Sequence, residues 1–283
     1  MGELVRPFRT PFAITERMDI RAYLFQPLVG ASFVAEMTGA EPGLLAGTEF
    51  ARIRGDELEF QLESLASDGT PVSAGSRVLR LIGSAEEIAR GEEELLACVG
   101  KASGVATASA SMVAKASGRV SIVCGAWKKV APELRKLLRH AIAVGGAGIR
   151  LVDEPFVYLD KNYVRMFGSV TKVVERARGV DGRTVAVQIR GDTDLITKEA
   201  SEAFKAGAGV LMVDTGNIAN LRSVVEVASS EGFRERVRIA FAGGVTSSSL
   251  DDVIAAGADI VDVGRSVIDA PLIDFRFDVL DKV

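Results

Sequence analysis

The sequence predicts an α/β protein: an N-terminal α+β sandwich domain followed by an incomplete, six- to seven-stranded β/α barrel. Three observations carry this. From about residue 105, short β-branched apolar runs alternate with amphipathic helical patterns, as parallel strands covered on both faces require. Two stretches, AFKAGAGVLMVD (203–214) and VIAAGADIVDVG (253–264), repeat one shape: helix, AGA, buried strand, Asp. Before residue 85 the text differs, because FARIRGDELEFQLESLASDGTPVSAGSRVLRLIG (50–83) alternates apolar and polar residues at period two.

Taken in order, RGD, SDGT and SAGS read as turns that cut residues 50–83 into antiparallel strands. A long helical stretch, starting at SAEEIARG, leads into the barrel. Strands are expected at VSIVC (120–124), at IRLV or FVYL near 149–159, and at TVAVQI, GVLMVD, RIAFAG and DIVDVG. Helices are expected at PELRKLLRHAIAV, NYVRMFGSVTKVVERARG, TKEASEAFKAG, NLRSVVEVASSEG and SLDDVIAAG, several of them stopped by glycine. The expected division is a sandwich domain over residues 1–104 and a barrel over 105–267. The tail 268–283, with its strand-like DFRFDV, is a candidate to rejoin the first domain.

Composition narrows the function. The 283 residues carry a formal net charge of -4, which argues against a nucleic-acid binder. The opening MGELVRPFRTPFAITER lacks the apolar core of a signal peptide, and no apolar run reaches the ~20 residues of a bilayer span. Cys98 and Cys124 read as reduced thiols without metal-ligand spacing, so a cytoplasmic protein is expected. The single histidine, His140, lies within a helical pattern and reads as a surface or partly packed side chain, which disfavours histidine-based acid–base chemistry.

A barrel of this kind works at the C-terminal ends of its strands, with phosphate held after the last two. Here those strands end in AFAGGV and DVGRSV. Gly243, Gly244 and Gly264 let the backbone approach an anion, and Arg265 adds charge. Asp214 ends GVLMVD on the same rim, where a carboxylate beside phosphate suits Mg²⁺ or a ribose hydroxyl. Gln188 offers uncharged hydrogen bonds. The stretch from Cys124 to Arg150 holds six Lys/Arg and one acidic residue. Lys128 and Lys129 fall at the rim, whereas Arg135, Lys136 and Arg139 read as a solvated helix face. Arg150 and Lys161 follow the next strands and divide evenly between ligand and surface. Trp127 can stack on a flat ligand or pack in the core. Asp262 reads as a buried partner.

These residues resemble the quinolinate phosphoribosyltransferase family, the carboxylating nicotinate-nucleotide pyrophosphorylases. The resemblance runs through GLLAG (43–47), DGTPVSAGSRVLRLIG (68–83), ASGVAT (102–107), WKKVAPELRKLLRHAIAVGGAGIR (127–150), VLMVDTGN (210–217), AFAGGV (240–245) and DIVDVGRSV (259–267). It implies transfer of phosphoribosyl from phosphoribosyl pyrophosphate to a ring nitrogen, with Mg²⁺ as cofactor, in a homodimer or higher oligomer. By that resemblance Lys129, Lys161 and Asp214 are the catalytic candidates, with Asp214 toward Mg²⁺. Trp127, Lys128, Arg150, Gln188, Gly243, Gly244, Gly264 and Arg265 are the substrate-binding candidates. The sequence also departs from the family. Glu93 and Ala97 replace an arginine and an asparagine on the long helix, and Ile149 replaces a histidine. Trp127, Val130 and Ala131 replace small hydroxyl residues, and Ala186 and Gln188 replace glutamates. An altered aromatic acceptor is therefore expected. A non-catalytic sugar-phosphate binder, or a Schiff-base aldolase using Lys129 or Lys161, are the alternatives.

Overall fold

The computed structural model describes residues 20–283, so the opening 19 residues, including the whole stretch read for a signal peptide, lie outside the described part. The first domain comprises α1 (Ile20–Leu24), β1 (Phe33–Gly39), β2 (Gly43–Leu44), α2 (Thr48–Glu57), β3 (Gln61–Leu65), β4 (Pro71–Val72) and β5 (Arg77–Gly83). The helix α3 (Ala85–Ala116) follows. A capping box starts it: the Ser84 hydroxyl takes the Glu87 N–H while the Glu87 carboxylate takes the Ser84 N–H.

The second domain continues with β6 (Ser121–Val123), α4 (Arg135–Val144), β7 (Phe156–Leu159), α5 (Lys161–Phe167), α6 (Val170–Arg178), β8 (Thr184–Ile189), α7 (Ile196–Ala206), β9 (Val210–Asp214), α8 (Ile218–Ser230), β10 (Arg238–Ala242), α9 (Leu250–Ala255), β11 (Ile260–Asp262) and α10 (Arg265–Ile268). Its six strands pair in the order β6-β11-β10-β9-β8-β7, and every ladder is parallel. A seventh position survives only as a parallel bridge between Val123 and Gly148. The ring is therefore open between that bridge and β7. Of the two candidate strands near 149–159, FVYL is the strand and IRLV is not.

The last strand, β12 (Phe275–Lys282), returns to the first domain and pairs antiparallel with β1, giving the order β12-β1-β5-β3. Three hydrophobic clusters result: one in the first domain, one between the barrel strands and their helices, and a smaller one built from barrel residues such as Ala186, Met212 and Ala240; α3 serves the first two. Ile88, Leu95 and Val99 belong to the first, while Val105, Ala106 and Met112 belong to the barrel. No linker separates the two halves at residue 104, because α3 runs through it. Among the described residues α3 is also the one helix long and apolar enough to cross a membrane, although 44% of its most apolar window is buried within the protein.

Two expectations at the element level are corrected. RGD is the end of α2 rather than a turn, since Thr48, Ala51 and Gly55 bury at helical spacing. The stretch NYVRMFGSVTKVVERARG is two helices, because Gly168 takes φ +74° and Ser169 caps the second by accepting from the Lys172 N–H.

Candidate active site

Two adjoining cavities open at the C-terminal ends of the barrel strands. The first, about 340 Å³, is lined among others by Lys128, Lys129, Lys161, Gln188, Asp214 and Arg265, with Gly243, Gly244 and Gly264 in its floor. Nine of the eleven residues singled out from the sequence thus meet in one place. The second, about 470 Å³, holds the other two, Trp127 and Arg150, together with Arg139, Ile149, Leu151 and Phe156. Gly125, Lys128, Tyr158, Met212 and Asp262 form the wall between them.

Local structure places the cations. After β6 the chain turns through a short 3-10 segment, Ala126–Lys129, which leaves Lys128 and Lys129 exposed at the rim. Arg135 braces this turn by donating to the carbonyls of Val130 and Lys128, each at 3.2 Å. Lys161 is the first residue of α5, capped by Asp160, and its N–H donates to Gln188 Oε1 at 2.6 Å. The Arg265 guanidinium pairs with Asp269 at 2.9 Å while remaining exposed.

The glycines have separable roles. Gly243, at φ +114°, lies so close to Gly216 that a Cβ would stand 2.3 Å from the Gly216 nitrogen. Gly244, at φ +79°, has open space around it, and its N–H has no partner among the described residues. It is the amide free to meet an anion. The Gly264 N–H is already given to Asp262 Oδ1 at 3.0 Å, so Gly264 serves the cradle through its shape.

Asp214 ends β9 and is held from two sides. Gln188 Nε2 donates to its carboxylate, and Arg190 reaches both its backbone carbonyl and, at 3.4 Å, its Oδ2. Among the described residues no three His, Cys, Asp or Glu side chains converge as a metal cage. A single carboxylate is still a chemically suitable donor for Mg²⁺, an ion that takes one or two carboxylates and fills its other positions with water or phosphate oxygens.

In the second cavity each cation faces an aromatic ring. Lys128 Nζ lies 5.5 Å from the Tyr158 ring, Arg139 4.7 Å from Trp127, and Arg150 5.4 Å from Phe156. The Trp127 indole N–H donates to the Ile149 carbonyl at 3.0 Å, which fixes the ring as a wall. The Tyr158 hydroxyl has its pKa raised, first by burial and then by the charges of Asp214, Asp262 and Asp160. It is a neutral donor at this site.

Sequence reasoning left four of these residues aside. Arg139, read as part of a solvated face, stacks on Trp127 and lines the second cavity. Arg139 is exposed, as the helical spacing predicts, but that spacing does not give the Trp127 ring beside it. Its two companions also have contacts, Arg135 as above and Lys136 over the Phe50 ring at 5.6 Å. Tyr158 and Arg190 lie beside strand ends that were recognised, and that position was the available signal. Asp262, read as a buried partner, does take two backbone N–H groups but also borders both cavities. Glu93, where the resemblance implies an arginine, forms a two-bond ion pair with Arg21 at 2.6 and 2.8 Å.

Comparison with known proteins places this architecture. The family model described as quinolinate phosphoribosyl transferase, N-terminal domain, matches residues 19–103, and the C-terminal domain model matches 105–278. A probable nicotinate-nucleotide pyrophosphorylase [carboxylating] of Archaeoglobus fulgidus is 29% identical over 241 residues, covering 84% of this chain and 91% of its own length. Its namesake in Methanothermobacter thermautotrophicus is 26% identical over 252 residues, covering 88% and 89%. In fold, the solved nicotinate-nucleotide pyrophosphorylase of Ehrlichia chaffeensis superimposes with a TM-score of 0.80 over 93% of both chains at 18% identity. The chain belongs to the quinolinate phosphoribosyl transferase family.

Proposed function

We propose that this protein is a phosphoribosyltransferase that moves phosphoribosyl from phosphoribosyl pyrophosphate to an aromatic, N-heterocyclic acid and releases pyrophosphate. The relatives named nicotinate-nucleotide pyrophosphorylase support the reaction type and a role in NAD biosynthesis. The observation that carries the reading is the paired cavity, with a lysine-rich glycine cradle on one side and an aromatic, cation-backed slot on the other.

In this reading the Gly244 amide and the Gly243 turn receive the 5′-phosphate. Lys128, Lys129 and Lys161 hold the pyrophosphate, whose negative charge grows as the bond to C1 breaks. Asp214 orients the ribose and would take one position on Mg²⁺, which supplies further charge neutralisation when bound. Neutral Tyr158 closes the wall near C1. The ring acid lies against Trp127 with Arg150 and Arg139 toward its carboxylate. No strong general base is needed for attack by an unprotonated ring nitrogen, in keeping with one distant histidine paired to Asp68.

The acceptor specificity is altered, in this reading. Trp127, Ile149, Leu151 and Phe156 give the slot an apolar, aromatic lining. A homodimer or higher oligomer is part of the same reading, and the free thiols Cys98 and Cys124 support a cytoplasmic setting. Calorimetric titration with Mg²⁺ and phosphoribosyl pyrophosphate, followed by pyrophosphate release across a panel of ring acids, tests it. Absence of binding, or binding without release for any acid, overturns the transferase assignment. Lys129→Ala is expected to lower kcat/KM by about 10²-fold, the size typical of losing one charge-stabilising donor.

A further inference from the structure

Asp262 stands at the end of β11 on the wall common to the two cavities. Its Oδ1 accepts the Gly264 N–H at 3.0 Å and the Gly125 N–H at 3.2 Å. These amides follow two neighbouring strands, β11 and β6, so they fix the plane of the carboxyl group. Oδ2 accepts no hydrogen bond from any described residue, yet it is not sealed from the cavities. A Cβ at Gly125 would come within 2.9 Å of Oδ2, so glycine there keeps the space over this oxygen clear. Lys128 and Asp214 are the charged groups whose fields reach it, and neither bonds to it. A part-buried, oriented acceptor left without a partner gains most from a donor on a ligand.

We propose that Asp262 is a specificity-determining residue of the acceptor slot. Its Oδ2 takes a hydrogen bond from an N–H on the ring edge entering between the cavities, so the site favours a ring acid with one carboxylate and one N–H donor over a ring dicarboxylate. Arg139 and Arg150 line the slot and not the phosphate cavity, and they serve the single carboxylate. A second carboxylate beside Asp262 would set like charges together in a half-buried site, which discriminates strongly between partners. This inference rests on the reading of the slot as the acceptor site.

Trp127 is the only tryptophan and lines the slot, so its emission reports ring binding without turnover. The probes are pyridine-2,3-dicarboxylate and its 2-carboxamide, titrated into the full chain and into Asp262→Asn and Asp262→Ser. The wild-type chain is expected to bind the amide at least about tenfold more tightly, the worth of one buried hydrogen bond. Both variants, shown folded by circular dichroism, are expected to lose most of that preference. Equal or tighter binding of the diacid by the wild type overturns the proposal. So does a preference that survives in both variants, or emission that neither acid changes. Failure of the transferase reading is seen separately, as absence of phosphoribosyl pyrophosphate binding.

Discussion

The two glycines after β10 look alike in the sequence and differ in what they tolerate. Gly243→Ala forces a Cβ into the Gly216 backbone at positive φ, so a loss of more than about 3 kcal/mol in urea denaturation is expected. Gly244→Ala meets nothing, and only the left-handed backbone penalises it, by roughly 1–2 kcal/mol. The second variant should therefore fold and still show weaker phosphate binding by calorimetry. Asp262 carries a pH signature. Burial, ahead of the opposing Gly125 and Gly264 N–H groups, raises its carboxyl above the ordinary 3.8. The folded chain then holds this proton more tightly than the unfolded chain does. Between 3.8 and the raised folded value, stability falls as pH rises. Asp262→Asn removes that decline, so the variant should gain on the wild type in urea midpoints as pH moves from 4 to 8.

At the scale of elements, the barrel strands were legible because buried parallel strands are runs of Val, Ile, Leu and Ala that end in glycine or Asp. The meeting of Gly243, Gly244, Gly264 and Arg265 in one cavity followed from those ends. What stayed hidden was any contact made by a residue from another loop. Helix α4 shows this, since Arg139 has the spacing of a surface residue and is exposed, yet its guanidinium stacks on Trp127 from a turn twelve residues earlier. Helix α2 shows a different limit, because Phe50 to Asp56 reads as alternation until the helical spacing of Thr48, Ala51 and Gly55 is known. The structure shows that Ser84 and Glu87 are spaced as a capping box demands. Ser84→Ala should lower stability by about 1 kcal/mol, seen as a shifted urea midpoint with unchanged slope.

At the scale of the whole molecule, the two domains are joined by more than adjacency. Asp68, from the first domain, accepts from Thr48 through Oδ1 and meets His140 of α4 at 2.6 Å through Oδ2. Gly104 of α3 passes so near the Pro271 carbonyl that a Cβ would stand 1.9 Å from it. With α3 packed into a core of each domain, the expected unfolding is one cooperative transition. Trp127 emission, local to the barrel, and far-ultraviolet dichroism, global to the chain, should give coincident urea curves. Two resolved transitions would show that the domains part independently. The pairing of β1 with β12 has a consequence for synthesis. Strand β1 lies between β5 and β12, so its outer edge keeps unpaired N–H and C=O groups until residues 275–282 emerge from the ribosome. The domain begun first is therefore completed last, after the barrel has been made, and a nascent chain stalled before Phe275 presents an open sheet edge to its neighbours.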